Sequence, residues 1–506
     1  MKIISHAISA LALLLLAITR IVAQSTYESY TFTTLAGGAG YSANVAGSAV
    51  RLLSPLTVAA DSAGNVYLAD ADNHAIRKVT PAGAVTVLAG RPGSFGSTDG
   101  TGSSARFNVP SCAALDSAGN LYVAEVGNNT IRKVTPAGVV TTLAGLAGSP
   151  GSADGTGGAA RFYSPFGVAV DSVTNVYVAD SDNHTIRKVT PVGTNWVVTT
   201  LAGNASIRDQ FGYPVGGYVD GTNRSARFSF PTAVAVDGAG NVYVADAYND
   251  TIRKITPVGT NWVVTTIAGL AGSPGSADGT NRNARFNEPN GLAFDSAGNL
   301  FVAEWSNNTI RKLTPLGTNW MVTTLGGMSG FYGTAGGTGS TARFSNPNGV
   351  AVDNAGNLYV ADFYFNAIRK GFPPPTILNL VFAGGSSASI SRDSRALGGC
   401  GSIARSGELA ARLDQHFRGP SQFQRPAKRS LFESLLPHSS AVAEGRQSPA
   451  KKNFKFAVTF PPRLIRNEEN REKSTSGIKY EDYQLRNFCA RALGVDGHPN
   501  AGPNDL

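Results

Sequence analysis

Acidic side chains stand seven residues before an arginine at six places in this 506-residue chain. The acids are Asp70, Glu125, Asp180, Asp246, Glu304 and Asp362, and the arginines are Arg77, Arg132, Arg187, Arg253, Arg311 and Arg369. Such a pattern has two interpretations: a ring of carboxylates that binds a ligand, or one ion pair or turn cap in each of six structural units. Because an active site breaks the symmetry of a repeat, we predict the structural role.

A second acid recurs at the start of a D-x-x-G-N type turn, as in Asp61–Asn65. These acids are Asp61, Asp116, Asp171, Asp237, Asp295 and Asp353. An Asp side chain can accept hydrogen bonds from turn backbone, and Gly supplies the positive φ, so we predict a turn role with calcium ligation as the alternative. The G-S-A-D-G-T loops at Asp154–Gly155 and Asp278–Gly279 lack the signatures of calcium and phosphate loops, which predicts a structural role.

Nucleophiles and metal-binding side chains are scarce in the repeated region. Only His74 and His184 lie there, too few for a metal centre built on three histidines. No Ser or Cys nucleophile is matched with a base, so we predict no catalytic residue and no cofactor. Cys112 stands where the other repeats have Gly, Ala or Thr, which predicts a buried and inert thiol. Cys400 and Cys489 lie beyond the repeats, and their spacing leaves open whether they pair.

These side chains belong to a unit that repeats at intervals of 55, 55, 66, 58 and 58 residues. Each unit has four short apolar runs separated by turn residues, which is typical of strands. In the third copy the runs are Gly167–Val170, Val176–Ala179, Thr185–Val189 and Val197–Ala202. Because no amphipathic helix intervenes, we predict antiparallel meanders arranged as an all-β, six-bladed β-propeller.

Two more positions recur in all six units and fit such blades. The first run carries a small residue: Ala59, Ala114, Ala169, Ala235, Ala293 and Ala351. The second run carries a ring: Tyr67, Tyr122, Tyr177, Tyr243, Phe301 and Tyr359. Small side chains suit inner strands that converge on an axis, and flat rings fill the space between twisted sheets.

The ends of the repeated region predict how the propeller closes. A strand of the V-T-T-L-A-G type precedes the first unit, at Thr31–Gly37, whereas none follows the last unit, which ends at Lys370. We therefore expect the N-terminal strand to complete the sixth blade, which removes two free sheet edges.

The repeated G-N-x-Y-V-A-D-x-x-N-H-x-I-R-K-V, as in Asn65–Val79 and Asn175–Val189, resembles the NHL repeat. The resemblance covers about residues 31–370 in six copies and implies an exported six-bladed propeller of the bacterial type. Members of that family include protein- and RNA-binding modules, receptor ectodomains and a few lyases. The lyases need histidine-rich metal centres, which this sequence does not match, so the resemblance implies a fold and not a chemistry.

The two ends of the chain differ from the repeats. Residues 1–23 have the features of a signal peptide, with Lys2, an apolar run at Ala10–Ile18 and a small residue at Ala23. Residues 24–371 are the predicted propeller, and residues 372–506 are a basic, irregular tail with 19 Lys and Arg against 12 Asp and Glu. A small independent domain is the alternative for the tail. Without the ends the propeller is formally neutral, which gives nucleic-acid binding no electrostatic support.

Side chains that break the six-fold pattern are the better guide to function. The second-to-third-strand hairpins of the last three units carry the aromatic residues Tyr248, Trp305, Phe363, Tyr364 and Phe365. Loops that emerge on the same face add Phe211, Tyr213, Tyr218, Phe331 and Tyr332. Exposed rings there would form a binding patch, and the alternative is that the rings pack on one another to rigidify the loops. Trp196, Trp262 and Trp320 recur on the opposite face, which predicts lateral packing.

The sequence therefore predicts a monomeric binding or scaffold module that is secreted, periplasmic or at the cell surface. Its expected partner is a protein, a peptide or a polysaccharide, with no nucleic acid and no transmembrane span after signal cleavage. The alternative is a metal-assisted hydrolase or lyase of the lactonase type, whose ligands would sit at non-repeating positions of the central funnel.

Overall fold

The computed structural model of the protein describes residues 29–38, 51–374, 376–381 and 387–392, the last two ranges by backbone only. The predicted signal peptide and most of the predicted tail, including Cys400 and Cys489, lie outside the described residues. Among the described residues, no helix is both long and apolar enough to cross a membrane.

Six antiparallel sheets form the propeller, and short strands connect consecutive blades. The first strand along the chain, β1 (Thr31–Gly37), belongs to the sixth blade. The strands of the first three blades are β2 (Pro55–Ala60), β3 (Val66–Asp70), β4 (Ala75–Val79), β5 (Val85–Ala89), β6 (Gly100–Thr101), β7 (Pro110–Leu115), β8 (Leu121–Glu125), β9 (Thr130–Val134), β10 (Val139–Gly145), β11 (Gly155–Thr156), β12 (Pro165–Val170), β13 (Val176–Asp180), β14 (Thr185–Val192) and β15 (Asn195–Gly203). Those of the last three are β16 (Gly221–Thr222), β17 (Pro231–Val236), β18 (Val242–Asp246), β19 (Thr251–Val258), β20 (Asn261–Gly269), β21 (Gly279–Thr280), β22 (Pro289–Phe294), β23 (Leu300–Glu304), β24 (Thr309–Leu316), β25 (Asn319–Gly327), β26 (Gly337–Thr338), β27 (Pro347–Val352), β28 (Leu358–Asp362) and β29 (Ala367–Phe372).

Each blade is a meander, as predicted. The third sheet has the order β11-β15-β14-β13-β12, with β12 innermost and the two-residue β11 on the outer edge. The helical elements of the described residues are single 3-10 turns: Ala71–Asn73, Gly102–Ser104, Gly157–Ala159, Ser181–Asn183, Asn223–Ser225, Ala247–Asn249, Asn281–Asn283 and Gly339–Thr341. The two-residue outer strands are an addition to the prediction, because a Gly-Thr pair is too short to show any alternation.

The ring closes through the N-terminal strand, which confirms the predicted closure. In the sixth sheet, with the order β26-β1-β29-β28-β27, β1 lies between β26 and β29. Thr31 pairs with Phe372 and Gly37 with Ala367. The inner strands contact one another around the whole ring, and β27 contacts β2 to complete it.

The core lies between adjacent blades. Tyr177 of β13 is buried in one cluster with Phe228, Val234 and Val242, which belong to the next blade. The ring therefore fills the space between two sheets, as predicted from its repetition. Near the axis the inner strands approach so closely that a Cβ on Gly167 would collide with the Thr232 carbonyl, which explains the small residues there.

Beyond the propeller, β30 (Thr376–Val381) and β31 (Ser387–Arg392) form a two-stranded sheet. This hairpin was not predicted, since the sequence after Gly371 shows no sustained alternation of apolar residues.

Candidate functional site

The six acid–arginine pairs are buried ion pairs, which confirms their structural role. The nitrogen–oxygen distances are 2.7 to 2.9 Å, and every acid is inaccessible to solvent. Burial raises the pKa of Asp180, while the charge of Arg187 opposes that rise. Since each pair lies within one blade and all six are alike, they hold hairpins in place and provide no open carboxylate.

The aspartates of the blade-to-blade loops complete the same arginine networks. Asp154 accepts a hydrogen bond from Arg187 Nη2 at 2.8 Å and another from the Thr200 hydroxyl at 2.8 Å. Asp99, Asp220 and Asp278 make the same contacts in their own blades. The G-S-A-D-G-T loops are therefore structural, as predicted.

The turn aspartates use their carboxylates locally. Asp171 Oδ1 accepts from the backbone N–H groups of Val173 and Asn175, and Oδ2 accepts from Asn175 Nδ2 and the Tyr177 hydroxyl. The predicted turn role is confirmed. Among the described residues, no group of three His, Cys, Asp or Glu side chains is placed to hold a metal.

The two histidines and Cys112 are also structural. His184 Nδ1 accepts the N–H of Phe230 at 2.9 Å, and His74 Nδ1 accepts that of Val109 at 3.2 Å. Burial lowers the pKa of His184 to about 4, so the imidazole is neutral and free to accept. Cys112 is buried, and burial raises the pKa of its thiol, which confirms the predicted inert cysteine.

A ring of inter-blade hydrogen bonds was missed by the sequence analysis. The residue that ends each second-to-third-strand hairpin is left-handed, and its side chain accepts a backbone N–H from the next blade at 2.8 to 3.2 Å. The pairs are His74 with Val109, Asn129 with Ser164, His184 with Phe230, Asp250 with Glu288, Asn308 with Asn346, and Asn366 with Ser54. The signal was a His, Asn or Asp four residues after the second-strand acid of each repeat.

The donors of these bonds carry unusual backbone geometry. Each immediately precedes an inner strand and has φ between 49° and 54°, although none is glycine. Left-handed non-glycine residues persist only where the surrounding structure holds them. Here an acceptor in the neighbouring blade holds each of the six donor residues through its N–H, so the backbone is fixed at all six positions.

The side chains of this region vary although its backbone repeats. We call it the inner ring and define it as the six donors and the six hairpin tips: Ser54, Val109, Ser164, Phe230, Glu288, Asn346, Asp72, Gly127, Asp182, Tyr248, Ser306 and Tyr364. Its charged members are all acidic, and none of the twelve is Lys or Arg. A backbone arrangement that is the same in all six blades but carries different side chains is expected of a recognition surface. Positions with only a structural role have the same residue type in every blade.

The candidate aromatic residues separate into exposed and buried ones. Tyr248 and Tyr364 are 43% and 51% exposed, and Phe211 and Tyr213 are exposed on their loop. The remaining three candidates are buried: Trp305, Phe363 and Phe365. Burial of these three agrees with the predicted alternative, in which the rings pack on one another.

Packing between neighbouring hairpins is the cause of that burial. Trp305 lies against Phe363 with 4.9 Å between ring centroids, and Phe363 contacts Tyr364 at 5.1 Å. Phe365 lies over the guanidinium of Arg369 at 5.6 Å. The packing interpretation thus holds for these three rings, and the exposed rings remain candidates for the binding patch.

All exposed aromatic rings among the described residues lie on one face. We call it the loop face: it carries the second-to-third-strand hairpins and the loops that leave the fourth strands. The rings are Phe95, Phe211, Tyr213, Tyr218, Tyr248, Phe331, Tyr332 and Tyr364. The turns of the opposite face expose aliphatic side chains, namely Val173, Val192, Val258 and Leu316.

The tryptophans of the opposite face pack laterally, as predicted. Trp196 contacts Tyr122 at 6.0 Å and Trp320 contacts Tyr243 at 5.8 Å, in each case across a blade boundary. Trp262 lies near Lys188 of the preceding blade at 6.0 Å. These rings join blades and do not form a second patch.

Comparison with known proteins identifies the repeat. The NHL repeat pattern matches residues 286–313 and 344–370. The chain is 29% identical over 255 residues to Protein SUPPRESSOR OF QUENCHING 1, chloroplastic, of Arabidopsis thaliana, a match that covers 49% of this chain and 24% of that protein. It is 27% identical over 336 residues to NHL repeat-containing protein 2 of Bos taurus, covering 62% and 45% of the two chains. The chain thus spans less than half the length of these relatives.

Among solved structures, a protein of unknown function from Bacteroides thetaiotaomicron has a TM-score of 0.50 and 20% sequence identity, covering 68% of this chain and 76% of its own. That likeness concerns the fold. The repeat pattern, the six sheets and the relatives agree: the chain contains NHL repeats and folds as a six-bladed β-propeller.

Proposed function

We propose that the protein is a binding module whose ligand contacts the loop face. The observation that carries this proposal is the confinement of every exposed aromatic ring of the described residues to that face. Exposed rings offer a large apolar area with little side-chain entropy to lose, which suits contacts with peptides and sugars.

The inner ring supports the same proposal. Its backbone is fixed by six inter-blade hydrogen bonds, so a ligand meets a preorganised surface and little ordering is needed on binding. The varied side chains on this frame supply specificity. No observation on the described residues favours the hydrolase or lyase alternative.

The setting of the module follows from the sequence. Residues 1–23 direct export as a signal peptide, residues 24–371 fold as the module, and residues 372–506 form an appended basic tail. The module acts outside the cytoplasm as a monomer, and its ligand is a protein, a peptide or a glycan.

The test is a double variant of two exposed rings, Tyr248→Ala with Tyr364→Ala. The purified full chain is screened against extracellular peptides and polysaccharides, and the variant is compared on each ligand found. We expect binding to weaken by roughly 1–4 kcal/mol while the melting temperature stays nearly unchanged.

The control is Tyr177→Ala, which removes a ring between blades and should destabilise the fold by about 3–5 kcal/mol. A double variant that binds like the native protein would place the binding surface elsewhere. One that unfolds like the control would show that the two rings serve packing.

A further inference from the structure

Asp250 is the exceptional member of the six residues that bond one blade to the next. Its Oδ1 accepts the N–H of Glu288 at 2.9 Å, the same contact that Asn308 makes to Asn346 at 2.8 Å. An asparagine occupies this position in three of the other blades and a histidine in two. An uncharged acceptor is therefore sufficient for the inter-blade hydrogen bond, and this bond does not require the charge of Asp250.

The ionised form of Asp250 is unfavourable in the folded protein. Asp250 is only 7% exposed, and burial raises its pKa to about 6. Glu304 and Asp246 repel the charged form of Asp250, although each of these two acids is already paired with its own arginine. No ion pair found among the described residues includes Asp250. A costly group that the scaffold does not require is often retained for function.

A second carboxylate lies beside it. Glu288, whose N–H bonds Asp250, is a left-handed residue with φ of 51°. Its Oε2 accepts the hydroxyl of Ser306 at 2.6 Å, and its carbonyl accepts the N–H of Trp305 at 3.0 Å. The two acids thus link the hairpin of the fourth blade to the hairpin of the fifth.

Aromatic rings stand on both sides of the acids. Toward the fourth blade, Tyr248 is stacked on Phe230 with 4.8 Å between centroids. Toward the sixth, Trp305 contacts Tyr364 at 5.9 Å. Two acids between two aromatic clusters form a surface that is negative, apolar at its margins and devoid of Lys or Arg at the inner-ring positions.

We propose that Asp250 and Glu288, flanked by Tyr248 and Tyr364, form a subsite for a Lys or Arg side chain of a peptide ligand. The inference rests on the proposed binding function and names the ligand class. A guanidinium or ammonium group forms charge-assisted hydrogen bonds with carboxylates and is attracted by ring faces. A bound cation also supplies an ion-pair partner, which Asp250 does not find among the described residues. The exposed rings around the subsite accommodate apolar neighbours in the peptide.

The experiment compares two matched probes by calorimetry on the full chain. One is the acetylated tripeptide amide Phe-Arg-Phe, and the other carries citrulline, which keeps the shape of Arg without its charge. We expect the Arg peptide to bind about tenfold more tightly at low salt, with the difference reduced at high salt. Asp250→Asn should abolish the difference in affinity between the two peptides, because it keeps the inter-blade hydrogen bond and removes the charge. The matched control is Asp295→Asn, which removes a turn acid of the opposite face and should leave the difference intact.

Three results would overturn the subsite. If the Arg and citrulline peptides bind equally well, the site does not recognise a cation and the subsite is refuted. The proposed binding function is not affected by that result. Agmatine carries a guanidinium group but is not a peptide. If it bound as tightly as the tripeptide, the proposal that the cation belongs to a peptide would be refuted. Failure of both tripeptides to bind at about 1 mM also refutes the subsite, whereas the binding function is judged separately by the screen with the Tyr248 and Tyr364 variant.

Discussion

Replacing Asp250 by asparagine should stabilise the protein at neutral pH. The amide oxygen can accept the N–H of Glu288, as Asn308 accepts that of Asn346 in the next blade. The variant therefore keeps the inter-blade hydrogen bond and removes only a buried negative charge. Few substitutions at a buried polar position are expected to raise stability, which makes the sign of the effect informative.

The magnitude follows from the pKa of the carboxyl. Folding raises the pKa of Asp250 from 3.8 to about 6, mainly by burial. A difference of this size opposes folding by about 3 kcal/mol when the group is fully ionised. The asparagine buries a polar amide in the same place, which has a cost of its own, so we expect about 1–2 kcal/mol for the variant.

The pH dependence has a definite sign. Because the pKa is higher in the folded state, the carboxyl favours folding only while it is protonated, and this contribution is lost as the pH rises through about 6. The carboxylates of Glu304 and Asp246 repel the charged form and act in the same direction as burial, whereas the backbone N–H of Glu288 lowers the pKa of Asp250. The gain from Asp250→Asn should therefore be near zero at about pH 4 and reach its full value above about pH 7.

Denaturant unfolding of both proteins between about pH 4 and pH 8 measures this directly. The reciprocal variant Asn308→Asp introduces the charge at the same position of the fifth blade and should destabilise the fold at neutral pH only. A gain for Asp250→Asn that is absent, or equal at all pH values, would refute the reasoning that the carboxylate opposes folding.

Two further predictions concern the ends of the propeller. Deleting residues 24–37 removes β1 from the sixth sheet and should lower the free energy of unfolding by several kcal/mol, and a deletion that melts like the full chain would contradict closure by that strand. Limited proteolysis should remove much of residues 376–506 and leave a compact core of residues 24–371; a tail that resists protease as well as the core would indicate a second folded domain.

Repetition made most of the fold predictable from the sequence. A residue type that recurs six times at one position, such as the ring of Tyr177 or the acid of Asp180, reports a contact that every blade makes with itself or its neighbour. Closure by Thr31–Gly37 was predictable because the displaced strand leaves one unit incomplete.

The candidate site was less predictable because it depends on differences between blades. The position of Asp250 is held by Asp, Asn or His, three residue types that share only an acceptor atom, so the repeat hides it. The burial of Trp305 depends on Phe363, which is contributed by the next hairpin. Such contacts arise from the angle between blades, and a pattern along one strand carries no information about them.

The pairing of β1 with β29 has a consequence for the order of events during synthesis. Thr31 belongs to the first strand of the propeller to be made, yet its partner Phe372 belongs to the last. At typical translation rates the first strand exists for roughly 20–70 s before the strand that it pairs with. Throughout that interval β1 has an unsatisfied edge, and β2 lacks its neighbour β27. The protein therefore gains its closed form in a single late step, and whatever shields the N-terminal strand until then governs the yield of folded protein.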